Sequence, residues 1–134
     1  MKVKELLMEG MTKRDTFVIL LEFIRFAAEE LELEKLPKFD FKFDNSRSVE
    51  HKSFGGYGNK HITITVVNRH IMDVCRTLAH ELVHFKQDLN NELNGDNPGA
   101  TGSPQENEAN AQAAIIMRNW GKLRPELFEK ESIE

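Results

Sequence analysis

The amino-acid sequence predicts an α+β domain in which an N-terminal helix precedes a small sheet and two further helices. Three observations carry this prediction: an apolar stripe at helical spacing after residue 12, two segments of alternating apolar and polar residues between residues 39 and 67, and a return to helical spacing from residue 71. The 134 residues match the size of one domain, so we expect a single domain with one core over residues 1–134.

Composition and charge narrow the classes of function. A formal net charge of −4 argues against a nucleic-acid-binding surface, which normally carries a basic excess. The lone Cys75 cannot close a disulfide within the chain, which suits a reducing compartment. The sequence offers neither a secretory signal at its start nor an apolar run of membrane-spanning length, so we expect a cytoplasmic protein without a membrane partner.

The first helix is expected to begin after Thr12, because Thr12 and Asp15 have the spacing of a capping box, and to end before Pro37. Its apolar residues recur every three or four positions, whereas its far end is acidic. Residues 39–44 and 61–67 alternate and predict strands. Between them we expect a weaker strand around Val49 and a glycine-rich turn over residues 54–59, which gives two or three antiparallel strands.

A long amphipathic helix of about five turns is expected to start after Asn68. Residues 90–102 are rich in Asn, Gly and Pro and predict a long loop, a type that tends to be functional or mobile. The next helix is expected to open with Ser103 as its cap, Pro104 at its first position and Glu106 at the capping-box position. Gly121 is a plausible end for it.

The long helix contains the motif His80-Glu81-Leu82-Val83-His84, an HExxH sequence. Histidines four residues apart lie one above the other on a helix, so both imidazoles can reach one Zn²⁺ ion. The carboxylate of Glu81 is placed to take a proton from a water bound to that metal. The sequence therefore predicts zinc ligands at His80 and His84, with Glu81 as the general base.

A third protein ligand is expected, since catalytic zinc sites usually combine three protein ligands with a water. Glu106 and Glu108 are the candidates, and both stay open. We favour Glu108, because Glu106 already has a structural role as the capping-box residue. Glu92 lies about 12 Å further along the helix axis and is out of reach.

The segment Arg76-Thr77-Leu78-Ala79-His80-Glu81-Leu82-Val83-His84, followed by Glu106-Asn107-Glu108-Ala109-Asn110, resembles the gluzincin metallopeptidases, in particular the compact ImmA/IrrE-like peptidases. Small metallopeptidase-like proteins of tailed phages are similar too, which would place the protein in a host cytoplasm. The resemblance implies a zincin-like fold, zinc on His80, His84 and Glu108, catalysis by Glu81 and a peptide or protein substrate.

Several further roles stay open at this point. The strand over residues 61–67 is similar to the edge strand along which such peptidases bind an extended substrate. A donor for the oxyanion could come from Tyr57, His51, His61 or His70, and Asp88 or Thr77 could orient the ligand histidines.

Two other functions compete with a metallopeptidase. One is a catalytically weak or inactive zinc-binding module of the same fold with a regulatory or interaction role. The other is a metal-free module that presents the acidic end of the first helix to a partner. The motif favours the enzyme, because a purely structural zinc site gains nothing from a base beside it.

Overall fold

The computed structural model describes residues 12–43, 55–93, 102–130 and 133. The elements follow in the order α1 (Lys13–Glu30), β1 (Lys38–Lys42), β2 (Gly55–Gly58), β3 (His61–Thr65), α2 (Ile71–Leu89), α3 (Pro104–Leu123) and a short 3₁₀ helix (Pro125–Glu129). This order confirms the α+β class. The strand predicted around Val49 and most of the 90–102 segment lie outside the described residues. None of the described helices is both long enough and apolar enough to span a membrane.

The predicted helix starts are confirmed by their caps. The hydroxyl of Thr12 accepts a hydrogen bond from the Asp15 amide, and the hydroxyl of Ser103 accepts one from the Glu106 amide, both at 3.1 Å. One predicted end is wrong: α3 continues through Gly121 to Leu123. Gly121 instead allows a close approach, because a Cβ there would lie 3.1 Å from the Phe128 ring.

The sheet is mixed, with strand order β1-β3-β2. β2 and β3 pair antiparallel, but β1 pairs parallel to β3, with Phe39 opposite Ile62 and Phe41 opposite Ile64. The expectation of a wholly antiparallel sheet is therefore wrong. Alternation of apolar residues has the same period in both kinds of pairing, so it identifies a strand without giving its direction.

The glycine-rich segment is a strand rather than a turn, which corrects a second prediction. The turn is limited to Asn59 and Lys60, whose φ angles of 51° and 59° suit a two-residue hairpin. Gly55 is needed for packing: a Cβ at this position would lie 2.5 Å from Cγ2 of Thr77 on α2. Gly55 thus allows β2 to lie close to the helix that carries the HExxH motif.

Gly55→Ala is expected to destabilise the fold by about 1–3 kcal/mol, the usual cost of overpacking. Thr77 cannot easily rotate away, because its hydroxyl accepts a 2.7 Å hydrogen bond from Arg69 and donates a 3.0 Å bond to the Asp73 carbonyl. Urea unfolding of the variant and of the parent chain measures the loss.

Gly58 provides the matched control in the same strand, since a Cβ there meets nothing within 4 Å. Gly58→Ala should change the free energy of unfolding by less than about 0.5 kcal/mol. Adding Thr77→Ser to Gly55→Ala removes the clashing methyl group and should recover most of the loss. Equal effects of the two alanine substitutions would contradict the close approach of β2 to α2.

Helix α2 forms the centre of the core and contacts α1, α3, β2 and β3. Its buried face includes Leu78 and Leu82, which are fully inaccessible to solvent. Trp120 of α3 packs its ring against Phe23 of α1, with 5.2 Å between the ring centroids. Near the end of the chain, Ile133 is buried and pairs through its backbone with Asn68 and Arg69, just before α2. Contacts with both other helices and with the sheet therefore hold the motif helix in place.

Candidate metal centre

The two histidines of the motif lie one turn apart on the side of α2 that faces the start of α3. Their ring centroids are 4.7 Å apart and the rings are nearly perpendicular. The Nε2 atoms of both rings point to the same carboxylate, that of Glu106. Helical spacing alone produces this alignment, as the sequence predicted.

Glu106 lies in the first turn of α3 and bridges both rings. Its Oε1 is 2.6 Å from Nε2 of His80, and its Oε2 is 3.0 Å from Nε2 of His84. One donor atom from each of the three residues lies within 4.8 Å of the others. A carboxylate is favourable in the first turn, because the amides at a helix N-terminus carry partial positive charge.

Glu108, the favoured third ligand, does not lie with the histidines in this structure, and Glu106 occupies the expected position instead. The capping-box role of Glu106 does not involve its carboxylate, because the cap uses only the backbone amide, which donates to Ser103. Its carboxylate remains available to the two rings. Glu108 lies half a turn further along α3, is exposed, and accepts a 2.8 Å hydrogen bond from Gln87.

The hydrogen bonds at the other ring nitrogens set the tautomers of both histidines. Nδ1 of His80 is 3.1 Å from Oε1 of Glu81, and Nδ1 of His84 is 2.8 Å from Oε1 of Gln87. Both partners are acceptors, and each therefore favours the tautomer that has its proton on Nδ1. A neutral ring with its proton on Nδ1 turns the lone pair of Nε2 toward the Glu106 carboxylate. A nitrogen acceptor and an oxygen acceptor then face one another. Such a cluster requires a cation, either a proton or a metal ion.

The donor set fits zinc. Two imidazole nitrogens and one carboxylate oxygen are the ligands of open zinc sites, with bonds of about 2.0–2.2 Å and therefore about 3.3 Å between ligand atoms in a tetrahedron. The nitrogen–oxygen contacts of 2.6 and 3.0 Å are hydrogen-bond lengths shorter than that separation, so the side chains would move apart slightly to hold the ion. Each imidazole also makes the outer hydrogen bond that metal-bound histidines usually make.

The electrostatics of the cluster favour a positive charge on it. The hydrogen bond from His80 to Glu81 is the largest influence that raises the pKa of His80 above its ordinary value, and the negative charges of Glu81 and Glu106 add to it. Burial acts in the opposite direction. A proton and a divalent metal therefore compete for the same nitrogen.

Glu81, the predicted general base, lies beside the cluster and is nearly buried, with 7% of its surface exposed. Its Oε1 is the atom that accepts the hydrogen bond from His80. The structure thus places a carboxylate next to the predicted zinc ligands, held there by one of them.

Gln87 is a residue of this site that the sequence analysis missed. It lies three residues after His84 on the same helix and is 2% exposed. Besides its bond to His84, its amide nitrogen donates to the Gln105 carbonyl at 3.0 Å and to the Glu108 carboxylate at 2.8 Å. A polar residue one turn after a ligand histidine was the signal that could have identified it.

The other candidate residues have structural roles in the described chain. The hydroxyl of Tyr57 donates a hydrogen bond to Asp88. Burial is the largest cause that raises the pKa of Tyr57, and the bond to Asp88 raises it further. Asp88 therefore holds β2 onto α2. Thr77 is bonded to Arg69 and to the Asp73 carbonyl, as described above.

The histidine candidates for an oxyanion donor do not join the cluster. His70 caps α2, its Nδ1 accepting a bond from the Met72 amide, and His61 is exposed on β3. His51 lies outside the described residues. The resemblance predicted an edge strand at this position. β3 is instead the central strand of the sheet, between β1 and β2.

A groove of about 340 Å³ opens beside the cluster, between α2 and α3. Small side chains on α3 make room for it. Its lining combines the ligands His80 and Glu106 with Arg76, Thr77, Asn110, Ala113 and Ala114. Two of the three clustered residues, His80 and Glu106, therefore form part of the groove wall.

Comparisons of the chain with protein-family models, with curated proteins and with solved structures gave no match.

Proposed function

We propose that the protein is a zinc-dependent metallopeptidase of the gluzincin type, with His80, His84 and Glu106 as the zinc ligands and Glu81 as the general base. The observation that carries the proposal is the convergence of the two Nε2 atoms on one carboxylate, with the second carboxylate of the motif alongside. A structural zinc site would use that second carboxylate only to orient His80, whereas a catalytic site also needs it as a base.

Zinc at these ligands supplies Lewis acidity, which makes a water acidic enough to lose a proton near neutral pH and polarises a peptide carbonyl. The residues of the chain supply the rest. Glu81 takes a proton from the water while the water oxygen adds to the carbonyl carbon of the peptide. The same carboxylate returns the proton to the leaving nitrogen when the carbon–nitrogen bond breaks. A carboxylate and an amine are the products.

The groove between α2 and α3 is the proposed position of the substrate. Arg76 and Asn110 offer donors to backbone carbonyls or acidic side chains of a peptide, and Ala113 and Ala114 leave space for its side chains. The peptide would reach the ligands from the His80 side. No membrane or nucleic acid is needed for this reaction.

A catalytically weak or inactive zinc-binding module of the same fold is the second candidate function. One observation favours it: the Oε1 atom of Glu81 is already engaged with His80, and the side chain is nearly buried. A carboxylate fixed in this way can serve to orient the ligand without moving protons.

The experiment that separates the two functions is hydrolysis of denatured fluorescein-labelled casein and of a mixed peptide library read by mass spectrometry. The protein is assayed loaded with one equivalent of zinc, after removal of the metal with a chelator, and after reloading. A metallopeptidase gives products that disappear on chelation and return on reloading. Zinc-loaded protein that releases no product above a protein-free control would refute the enzyme and leave the binding module.

A further inference from the structure

We infer that Gln87 is a positioning residue for the metal site: with Glu108 and the Gln105 carbonyl, it holds His84 in the form protonated at Nδ1, so that Nε2 faces the metal. The inference rests on the proposed zinc site and extends it to residues beyond the ligands. It also assigns a role to Glu108, which the structure places one hydrogen bond away from the histidine.

The orientation of the Gln87 amide follows from its partners. A backbone carbonyl and a carboxylate accept hydrogen bonds and cannot donate them, so the NH₂ group of Gln87 must face Gln105 and Glu108. The amide oxygen is then turned to His84, 2.8 Å from Nδ1. An amide in the opposite orientation would place its NH₂ group against the ring and its oxygen against two acceptors.

Burial restricts the Gln87 and His84 side chains to this pair of orientations. Gln87 is 2% exposed and His84 is 8% exposed, so neither can exchange a lost partner for bulk water at low cost. In the part of the chain that the structure describes, the Gln87 oxygen faces Nδ1 of His84 and accepts the proton from it. With that proton fixed, Nε2 keeps the lone pair that zinc needs.

The two histidines are held by different kinds of acceptor. His80 donates to the Glu81 carboxylate, whereas His84 donates to a neutral amide. Glu81 would be disturbed by the chemistry proposed for it, since it gains and loses a proton. Gln87 does not titrate, and its bond to His84 therefore stays the same while Glu81 changes its charge.

The first test measures zinc affinity by competition with a chromophoric chelator. Gln87→Met keeps the length of the side chain and removes the acceptor, and we expect zinc to bind about 10–100-fold more weakly. Gln112→Met makes the same substitution on α3 at a residue outside the site, and it should change the affinity by less than about threefold. Thermal unfolding of the metal-free variants controls for a general loss of structure.

The second test reads the tautomer of His84 directly and requires neither zinc nor activity. Glu106→Ala removes the carboxylate that would accept a hydrogen bond from an Nε2–H group, and ¹⁵N chemical shifts of the neutral imidazole are then recorded. We expect the Nδ1–H form of His84 in this background and a shift to the Nε2–H form when Gln87→Met is added. A Nε2–H form with Gln87 intact would overturn the inference.

The two tests separate the inference from the proposed function. Failure of the wild-type protein to bind zinc refutes the metallopeptidase and leaves the tautomer result to decide the role of Gln87. An unchanged zinc affinity in a folded Gln87→Met variant refutes the positioning role and leaves the metallopeptidase standing.

Discussion

Glu81→Gln is expected to lower kcat/KM for casein hydrolysis by about 10²–10⁴-fold while one zinc per chain remains bound. The amide oxygen of glutamine can still accept the hydrogen bond that His80 donates at 3.1 Å to Oε1 of Glu81, so the ligand keeps its tautomer. The amide cannot accept a proton from water, and the base is lost. Zinc content and product formation are measured on the same preparation.

Glu29→Gln is the matched control for Glu81→Gln, because Glu29 is an exposed carboxylate of α1 on another element of the fold. It should leave both zinc content and rate unchanged. Hydrolysis by Glu81→Gln at more than a tenth of the wild-type rate, with equal zinc, would remove Glu81 from the proton transfer and make its bond to His80 its main role.

Trp120→Ala is expected to lower the free energy of unfolding by about 3–5 kcal/mol. The indole is fully buried and lies against Phe23 and Phe26, with ring centroids 5.2 and 5.3 Å away. It joins α1 to α3, so its removal leaves a cavity between two helices. Urea denaturation followed by circular dichroism measures the loss.

Trp120→Phe is the companion variant, and it should cost much less than the alanine substitution. Phenylalanine keeps an aromatic ring against Phe23, and it removes an indole N–H that has no hydrogen-bond partner among the described residues. If Trp120→Ala cost less than about 1 kcal/mol, the packing of α1 on α3 through this ring would be contradicted.

The features that could be predicted from the sequence depend on residues close together in the chain. The starts of α1 and α3 follow from Thr12 and Ser103, whose hydroxyls cap amides three residues away. The alignment of His80 with His84 follows from the helical repeat alone. In each case the feature follows from local geometry and does not depend on contacts with distant segments.

The features that could not be predicted depend on contacts between distant segments. The parallel pairing of β1 with β3 is invisible to alternation, which has the same period in either direction. The glycine-rich segment around Gly55 was predicted to be a turn. Gly55 is instead required because a Cβ there would clash with the methyl group of Thr77, which lies on another element. Gln87 required the position of α3 to show which acceptors surround its amide.

The choice between Glu106 and Glu108 shows the limit of a local argument most clearly. Both lie in the first turns of α3, and the capping box accounted for Glu106 without reference to the histidines. A cap formed by the backbone amide does not use up the carboxylate of the same residue. The direction in which α3 packs on α2 decides which of the two carboxylates meets the rings.

The most direct test of the metal centre is the zinc content of untagged protein, measured by inductively coupled plasma mass spectrometry for the wild type, Glu106→Gln and Glu108→Gln. Two imidazoles without a third ligand hold zinc weakly. The site described here predicts about one zinc per chain in the wild type and in Glu108→Gln, and loss of most of the zinc in Glu106→Gln. Zinc retained by Glu106→Gln and lost from Glu108→Gln, or a wild-type protein that takes up no zinc when it is supplied, would contradict it.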